Sequence, residues 1–284
     1  MKVLGIGNVS CYNRAQAQVL RFNNPAFKGE AALDVYLQDR PDPAADKARL
    51  AELKDKVCAA NIRLKDEKII VDTWGNVSER DPETGLVVIK PSGVGYDAMK
   101  PEHMVVVDLN GKKVDGELNP SVDTPTHLAL YRAYDKINAV AHTHSINATA
   151  FAQAGRQIPA LGTTHADYFY GTIPVTRTLT TEEITQNYEA NTGKVIIEAM
   201  EGKDPVRVPG VLVKNHGVFT LGKTADDSVK NAVFLETIAD MALKTATLLN
   251  TPENPVEMPD NLLRFHNDRK HGPGAYYGQK SGSV

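Results

Sequence analysis

The sequence predicts an α/β protein, a single domain built on a central, mainly antiparallel β-sheet with helices on both faces. Three observations carry that expectation. Asn110 and Gly111 sit inside "HMVVVDLNGKKVDG", between β-type runs, and are the strongest short hairpin signal a sequence offers. "GVLVKNHGVFTLG", Gly210 to Gly222, reads as a second strand pair. Long apolar stripes at helical spacing stand on either side of these segments, one beginning near Ala45 and one after Thr224.

Taken in order, the stretch to about residue 44 is rich in Asn, Gln, Gly and Pro and ends in "QDRPDPAAD", a composition shift that reads as a boundary or linker. Residues 1–44 are therefore expected to be an extension and 45–284 the domain. "GIGNVS" within the extension lacks the third glycine of a dinucleotide loop, and no acidic strand end follows at the proper distance. From Ala45, Leu50, Leu53, Val57 and Leu64 form one stripe of an amphipathic helix. "LVVIK", Leu86 to Lys90, is a strand, followed by the hairpin around Asn110.

"DTPTHLALYRAY" supplies Thr124 as a cap, Pro125 at the first helical position, and Leu128, Tyr131 and Tyr134 to pack. "NAVAHTHS" then reads as a strand. The run after Thr224 opens with acidic residues in its first turn and predicts the longest helix. The tail is polar and glycine-rich, with two tyrosines and two histidines, and the chain carries no internal repeat.

At 284 residues the chain is long enough to bury a full core. A formal charge of -3 with 24% charged residues gives no bias toward nucleic acid or anionic lipid, so partners are expected to be small molecules or copies of the chain itself. Polar residues follow the first apolar run too early for a signal peptide, and no segment is long enough to span a bilayer, which predicts a cytoplasmic protein without membrane contact. Cys11 and Cys58 have neither metal nor redox spacing and are expected to be free thiols.

The chemistry concentrates in a few places. On a strand, residues i and i+2 share a face, so His142 and His144 project side by side with Cα atoms about 6–7 Å apart. His216 lies in "VKNHGVF", where a strand would turn, and three imidazoles with an open position make a catalytic zinc site. Asp123 and Glu189 are candidate oxygen donors near it. An isolated His-x-His is more often a pair of hydrogen-bonded surface residues. What favours a metal is the company: apolar flanks around both His segments, and "TTHADYFYG", Thr163 to Gly171, whose density of polar side chains between apolar runs calls for a site.

Three polar stretches read as turns: "TWGNVS" (Thr73 to Ser78), "IKPSGVGY" (Ile89 to Tyr96) and "NPSVDTP" (Asn119 to Pro125). Exposed backbone N–H groups, hydroxyls and Lys90 would suit a phosphate, although Gly, Ser, Pro and Asn are also what ordinary turns need.

With these pieces in order, the sequence resembles the L-ribulose-5-phosphate 4-epimerases of the class II, metal-dependent aldolase family. The resemblance rests on "TWGNVS", "VIKPSGV", "PSVDTPTH", "HTHS", "AGRQIPALGTTHADYFYGTIP", "GVLVKNHGVF" and "RKHGPGAYYGQ", and spans roughly Ala45 to Gln279. It implies the three-layer fold of that family. It also implies zinc, or manganese or another divalent ion, on His142, His144 and His216 with Asp123 close by, and the phosphate of a small sugar phosphate on Asn76, Lys90, Ser92, Gly93 and Ser121. Asp167 and Tyr277 would be the acid/base pair, with Thr163, Glu189 and His266 assisting. C-terminal residues would reach a neighbour's site in a C4 homotetramer. The implied reaction inverts C4 of L-ribulose 5-phosphate through cleavage and re-formation of C3–C4. The rivals are a plain aldolase, an epimerase for an unphosphorylated or different sugar, and a non-catalytic scaffold. Val122 departs from the family pattern, which has a serine there, and removes a hydroxyl from the phosphate loop.

Overall fold

The computed structural model describes residues 30–250 and 255–277. The "GIGNVS" segment, Cys11 and the final Gln279 lie outside them. In chain order the helices and strands are α1 (Glu30–Leu37), α2 (Pro43–Asp66), β1 (Gly75–Arg80), β2 (Val87–Ile89), β3 (Val105–Val107), β4 (Lys113–Asp115), α3 (Thr124–Ala133), β5 (Ala139–Thr143), α4 (Ile146–Ala154), α5 (Thr163–Ala166), α6 (Thr181–Thr185), α7 (Tyr188–Ala199), β6 (Gly210–Leu212), β7 (Val218–Gly222), α8 (Ala225–Leu249) and α9 (Asp260–His271).

The strands form a seven-stranded sheet in the order β4-β3-β2-β1-β5-β7-β6, and every neighbouring pair is antiparallel. Side-chain alternation sends Val77, Val88, Val106 and Ala141 to one face, where they meet Leu50, Leu53, Val57 and Leu64 of α2 and Val229 of α8. Val87, Ile89, Val105, Val107 and Val140 point to the other face, against Leu128 and Tyr131 of α3 and Ile196 of α7. Two apolar layers on opposite faces of one sheet make the expected three-layer arrangement. The stripe read from the sequence of α2 is the stripe that is buried.

Three expectations need correction. The stretch before Ala45 is not merely a linker over its described part: Leu33 and Leu37, four residues apart on α1, are buried in the same cluster as the α2 stripe, and α2 itself begins at Pro43 with Asp42 as its cap. "TWGNVS" is a turn only at its start. From Gly75 the backbone is β1, a central strand paired with both β2 and β5, because Val77 supplies an inward apolar position. Thr124 is the first residue of α3 rather than its cap; Asp123 holds the cap position, and the Thr124 hydroxyl donates to Ser121 O at 2.6 Å.

The Asn110–Gly111 hairpin is present, closed one residue further out than a two-residue turn. Asp108 N donates to Lys112 O, the Asp108 carboxylate accepts from Asn110 N and Lys112 N, and Gly111 takes a φ of +84°. α8, at 25 residues the longest described helix, starts as expected at Thr224, whose hydroxyl accepts from Asp227 N.

Candidate metal centre and its surroundings

β5 and the β6–β7 turn bring the three histidines together. His142 is the penultimate residue of β5, and His144 follows the strand's end. His216 sits in the turn where Val213 N donates to Gly217 O and Asn215 adopts φ +64°, a conformation asparagine tolerates. One ring nitrogen from each histidine lies within 4.8 Å of the other two. His142 and His144 Nε2 are 3.1 Å apart, and the three rings meet at centroid distances of 4.8–4.9 Å.

The surroundings prepare these nitrogens. His142 Nδ1 is 2.9 Å from Val218 O; a carbonyl only accepts, so Nδ1 carries the proton and Nε2 keeps its lone pair for a ligand. Phe219 stacks on the His142 ring at 4.2 Å. Burial pushes His144 down to about 4 and His216 to about 3, so both imidazoles are neutral at ordinary pH, the form that binds metal. Gly217 leaves the necessary space: a Cβ there would stand 2.6 Å from Thr143 O and 3.2–3.3 Å from the His144 and His142 rings. Three convergent imidazoles, with His144 and His216 kept neutral by burial and His142 Nδ1 turned to a carbonyl, fit a divalent cation.

Asp123 stands beside this cluster but outside the set of mutually close ligand atoms. Its carboxylate accepts from Asn76 Nδ2 at 2.7 Å, and Asn76 lies directly opposite His142 in the β1–β5 pairing. Burial alone would raise the Asp123 carboxyl, yet it lies below its ordinary value, and the Asn76 amide hydrogen bond favours the ionised form. An ionised carboxylate cannot donate, which leaves Asn76 Oδ1 aimed elsewhere, buried and without a partner among the described residues.

The expected anion loops are zipped together. Ser92 N donates to Asn119 O, Ser121 N donates to Lys90 O, and Pro91 bridges to Pro120. Ser121 Oγ accepts from Asp123 N, linking the loops to the histidine side. Lys90 is 2% exposed, and among the described residues its ammonium has a single hydrogen bond, 3.3 Å to Pro91 O, with the Tyr96 ring 5.0 Å away. Burial lowers its pKa, and an incoming anion would relieve that cost. Gly93 adopts φ +70° in the exposed turn next to Ser92. Asn76, Lys90, Ser92, Gly93, Ser121 and Asp123 thus form one continuous neighbourhood.

Asp167, His266 and Tyr277 form a second cluster where α5 meets α9. The Asp167 carboxylate takes Arg269 at 3.0 Å, His266 at 3.2 Å and Lys270 at 3.3 Å. Tyr277 is exposed, its ring 5.0 Å from the Arg269 guanidinium carbon. Thr163 opens α5, and its carbonyl accepts from Asp167 N. Glu189 is in the first turn of α7, next to Tyr188, and its carbonyl accepts from Thr126 Oγ1.

Several neighbours escaped the sequence reading. Trp74 is exposed with its ring 6.2 Å from that of His144, and Tyr188 OH is 3.4 Å from His216 Nδ1. His127, fully buried, is driven down to about 3 and is held by Ser78 Oγ at 2.7 Å. Two of them carried a signal: Trp74 lies within "TWGNVS", and His127 lies on the predicted helix four residues after Asp123.

An antiparallel sheet between helical layers with a three-histidine centre at one strand end defines a metal-binding α/β protein of the class II aldolase type. A family described as "Class II Aldolase and Adducin N-terminal domain" matches residues 55–243, and the chain belongs to that family. Within it, the chain is 54% identical over 231 residues to a protein named L-ribulose-5-phosphate 4-epimerase UlaF from Salmonella paratyphi B, covering 81% of this chain and all of the relative. A protein of the same name from Salmonella typhi matches over the same span at the same identity. Among solved structures, an L-fuculose 1-phosphate aldolase is 27% identical with a TM-score of 0.65, covering 77% of this chain and 95% of that one. An L-fuculose 1-phosphate aldolase from Glaciozyma antarctica PI12, 22% identical with a TM-score of 0.61, shares the fold, over 84% of this chain and 88% of that one.

Proposed function

We propose that the chain is a zinc-dependent epimerase that inverts C4 of L-ribulose 5-phosphate to give D-xylulose 5-phosphate. The observation that carries the reading is the junction of the three-histidine cluster with the buried, nearly unpartnered Lys90 through Asn76, Asp123 and Ser121. One site then offers a cation position and an anion position a few side chains apart. Kinship with proteins named for this activity supports it.

The hydrogen on C4 is not next to the carbonyl and is not acidic, so inversion proceeds by breaking C3–C4. The C4 hydroxyl loses its proton, and the bonding pair passes to C3 as an enediolate of dihydroxyacetone. Glycolaldehyde phosphate turns by half a turn, and the bond re-forms on its other face. A divalent cation on His142, His144 and His216 supplies Lewis-acid stabilisation of the developing negative charge. Lys90, Ser92, Gly93 and Ser121 hold the phosphate while the aldehyde turns. Asp167 and Tyr277 exchange the proton of the C4 oxygen on the two faces.

Burial alone would raise the Asp167 carboxyl, but Arg269, His266 and Lys270 outweigh it and hold it below the usual carboxylate range, so it is ionised at neutral pH. Asp167, His266 and Tyr277 gather around α9 as a cluster of their own. A C4 homotetramer in which these residues serve the histidine site of a neighbouring copy accounts for that placement, with Thr163 and Glu189 assisting. A cytoplasmic setting is the natural one for such chemistry; among the described residues no helix is long and apolar enough to cross a membrane.

A plain aldolase is the second reading, favoured by the likeness to L-fuculose 1-phosphate aldolase. Incubation with L-ribulose 5-phosphate, with and without added zinc or manganese, separates the two by NMR of all carbon products. Metal-dependent D-xylulose 5-phosphate supports the epimerase. Free dihydroxyacetone and glycolaldehyde phosphate would replace it with the aldolase, and no turnover would direct attention to Val122, 63% exposed between Ser121 and Asp123, and to another sugar.

A further inference from the structure

We infer that Arg269 is a positioning residue that assembles the acid/base pair, fixing Asp167 with its guanidinium edge and carrying the Tyr277 ring beside it. The inference rests on the proposed roles of Asp167 and Tyr277. Arg269 Nη2 donates to both carboxylate oxygens, at 3.0 and 3.1 Å, and Nε donates to Oδ1 at 3.3 Å. Its carbonyl accepts from Tyr276 N and Tyr277 N at 3.0 and 3.1 Å, so the tail is tied to Arg269 by main chain as well as by the ring contact.

The local sequence explains the geometry. Arg269, Lys270 and His271 fill the last turn of α9, where the helix dipole favours cations. The chain then reverses at Gly272, where a Cβ would stand 2.6 Å from Asp268 O, and brings the tyrosines back over Arg269. Around the carboxylate, every charged or titratable contact among the described residues comes from α9: His266 Nδ1 at 3.2 Å and Lys270 Nζ at 3.3 Å join Arg269, while His271 Nε2 donates to the Asp167 carbonyl at 2.7 Å. Lys270 is shared, since its ammonium also meets Tyr168 OH at 3.0 Å and stands 4.4 Å from the Tyr277 ring. Only Arg269 combines a planar fork for the carboxylate with a flat face for a ring, which a lysine does not reproduce.

The alternative is that Arg269 merely staples α9 to α5. Full-length Arg269→Gln and Arg269→Lys distinguish the two. The Asp167 carboxyl is titrated by carbon-13 NMR, its signal assigned by loss in Asp167→Asn. Epimerase kcat and KM are followed against pH in the wild-type and Tyr277→Phe backgrounds.

In Arg269→Gln the Asp167 titration and the acid limb of kcat move to higher pH together. kcat falls on the order of tenfold or more with KM little changed, and the fall is smaller in the Tyr277→Phe background. Arg269→Lys restores the acid limb but not the coupling to Tyr277. An unmoved Asp167 titration, or an equal loss in both backgrounds, would overturn the inference. If Arg269→Gln does not fold, Arg269→Lys carries the test through its lost coupling. If the wild type lacks epimerase activity the proposed reaction falls, and the Asp167 titration with the Tyr277 ring resonances decides the positioning role alone.

Discussion

His142 Nε2 and His144 Nε2 face each other at 3.1 Å, and the Val218 carbonyl takes the proton on the far side of the His142 ring. In the metal-free protein a neutral His144 with its proton on Nε2 donates to His142 Nε2, whose own proton faces Val218 O from Nδ1. In the other His144 tautomer both Nε2 lone pairs converge where a divalent cation would bind. His142→Ala is therefore expected to abolish tight metal binding, a larger loss than the 10–100-fold typical of residues that only support a ligand. Added zinc should raise the Tm of the metal-depleted wild type and leave that of the variant unchanged; equal metal content in the two proteins would remove His142 from the site.

Gly217 is the passive member of the same centre. It needs no unusual backbone angle, so the penalty for a side chain there is contact with Thr143 O and the two histidine rings. Gly217→Ala should destabilise the fold by about 1–3 kcal/mol and weaken metal binding, because relief requires the β6–β7 turn to move away from β5. Gly162→Ala, where a Cβ meets nothing within 4 Å, is the control. Calorimetric titration of both apo proteins with zinc tests this, and matched affinities would show that the turn adjusts without cost.

Tyr277→Phe isolates a hydroxyl. The ring over Arg269 and Lys270 is retained, and the side chain is 60% exposed in the single chain. Stability should stay within about 0.5 kcal/mol of wild type and metal content should not change, while epimerase turnover should fall by roughly 10²–10⁴ if the hydroxyl transfers a proton. Wild-type rates in a fully metallated variant would exclude it.

What could be read in advance followed from short-range rules. The α2 stripe, the two strand pairs and the His142–His144 spacing are consequences of periods of 3.6 and 2, and the structure has all of them. Asn76 was misplaced in a turn because Gly and Asn dominate its local composition; only pairing with β2 and β5 makes that stretch a central strand. The docking of Leu33 and Leu37 was hidden by two leucines being too few to register as periodic. The grip of Arg269 on Asp167 joins residues 102 apart in sequence, and no local pattern encodes it. Proximity of His216 to the other histidines was an inference from chemistry and family resemblance, since the 71 residues between His144 and His216 carry no spacing rule.

The last prediction concerns stability away from the site. Asp81 follows β1 and opens the β1–β2 turn with 1% of its side chain exposed, and Arg49 of α2 grips it with Nε at 2.8 Å and Nη2 at 2.9 Å. Arg49 also holds Asp46, which Arg40 contacts from the other side. Burial alone would raise the Asp81 carboxyl, yet Arg49 and Thr84 together pull it below its ordinary value, and Arg40 and Arg49 pull Asp46 down in the same way. Carboxyls depressed in the folded state stabilise it at pH values above their unfolded pKa, near 3.9, and lose that contribution as pH falls through the folded value. Arg49→Met should thus cost about 2 kcal/mol at pH 7, less than the loss of a partner from a fully buried pair because Arg49 is a third exposed. The Tm gap between wild type and variant should be widest between about pH 5 and 8 and close below about pH 4. A gap independent of pH would mean that the aliphatic stem of Arg49, rather than its charge, stabilises the α2–β1 contact.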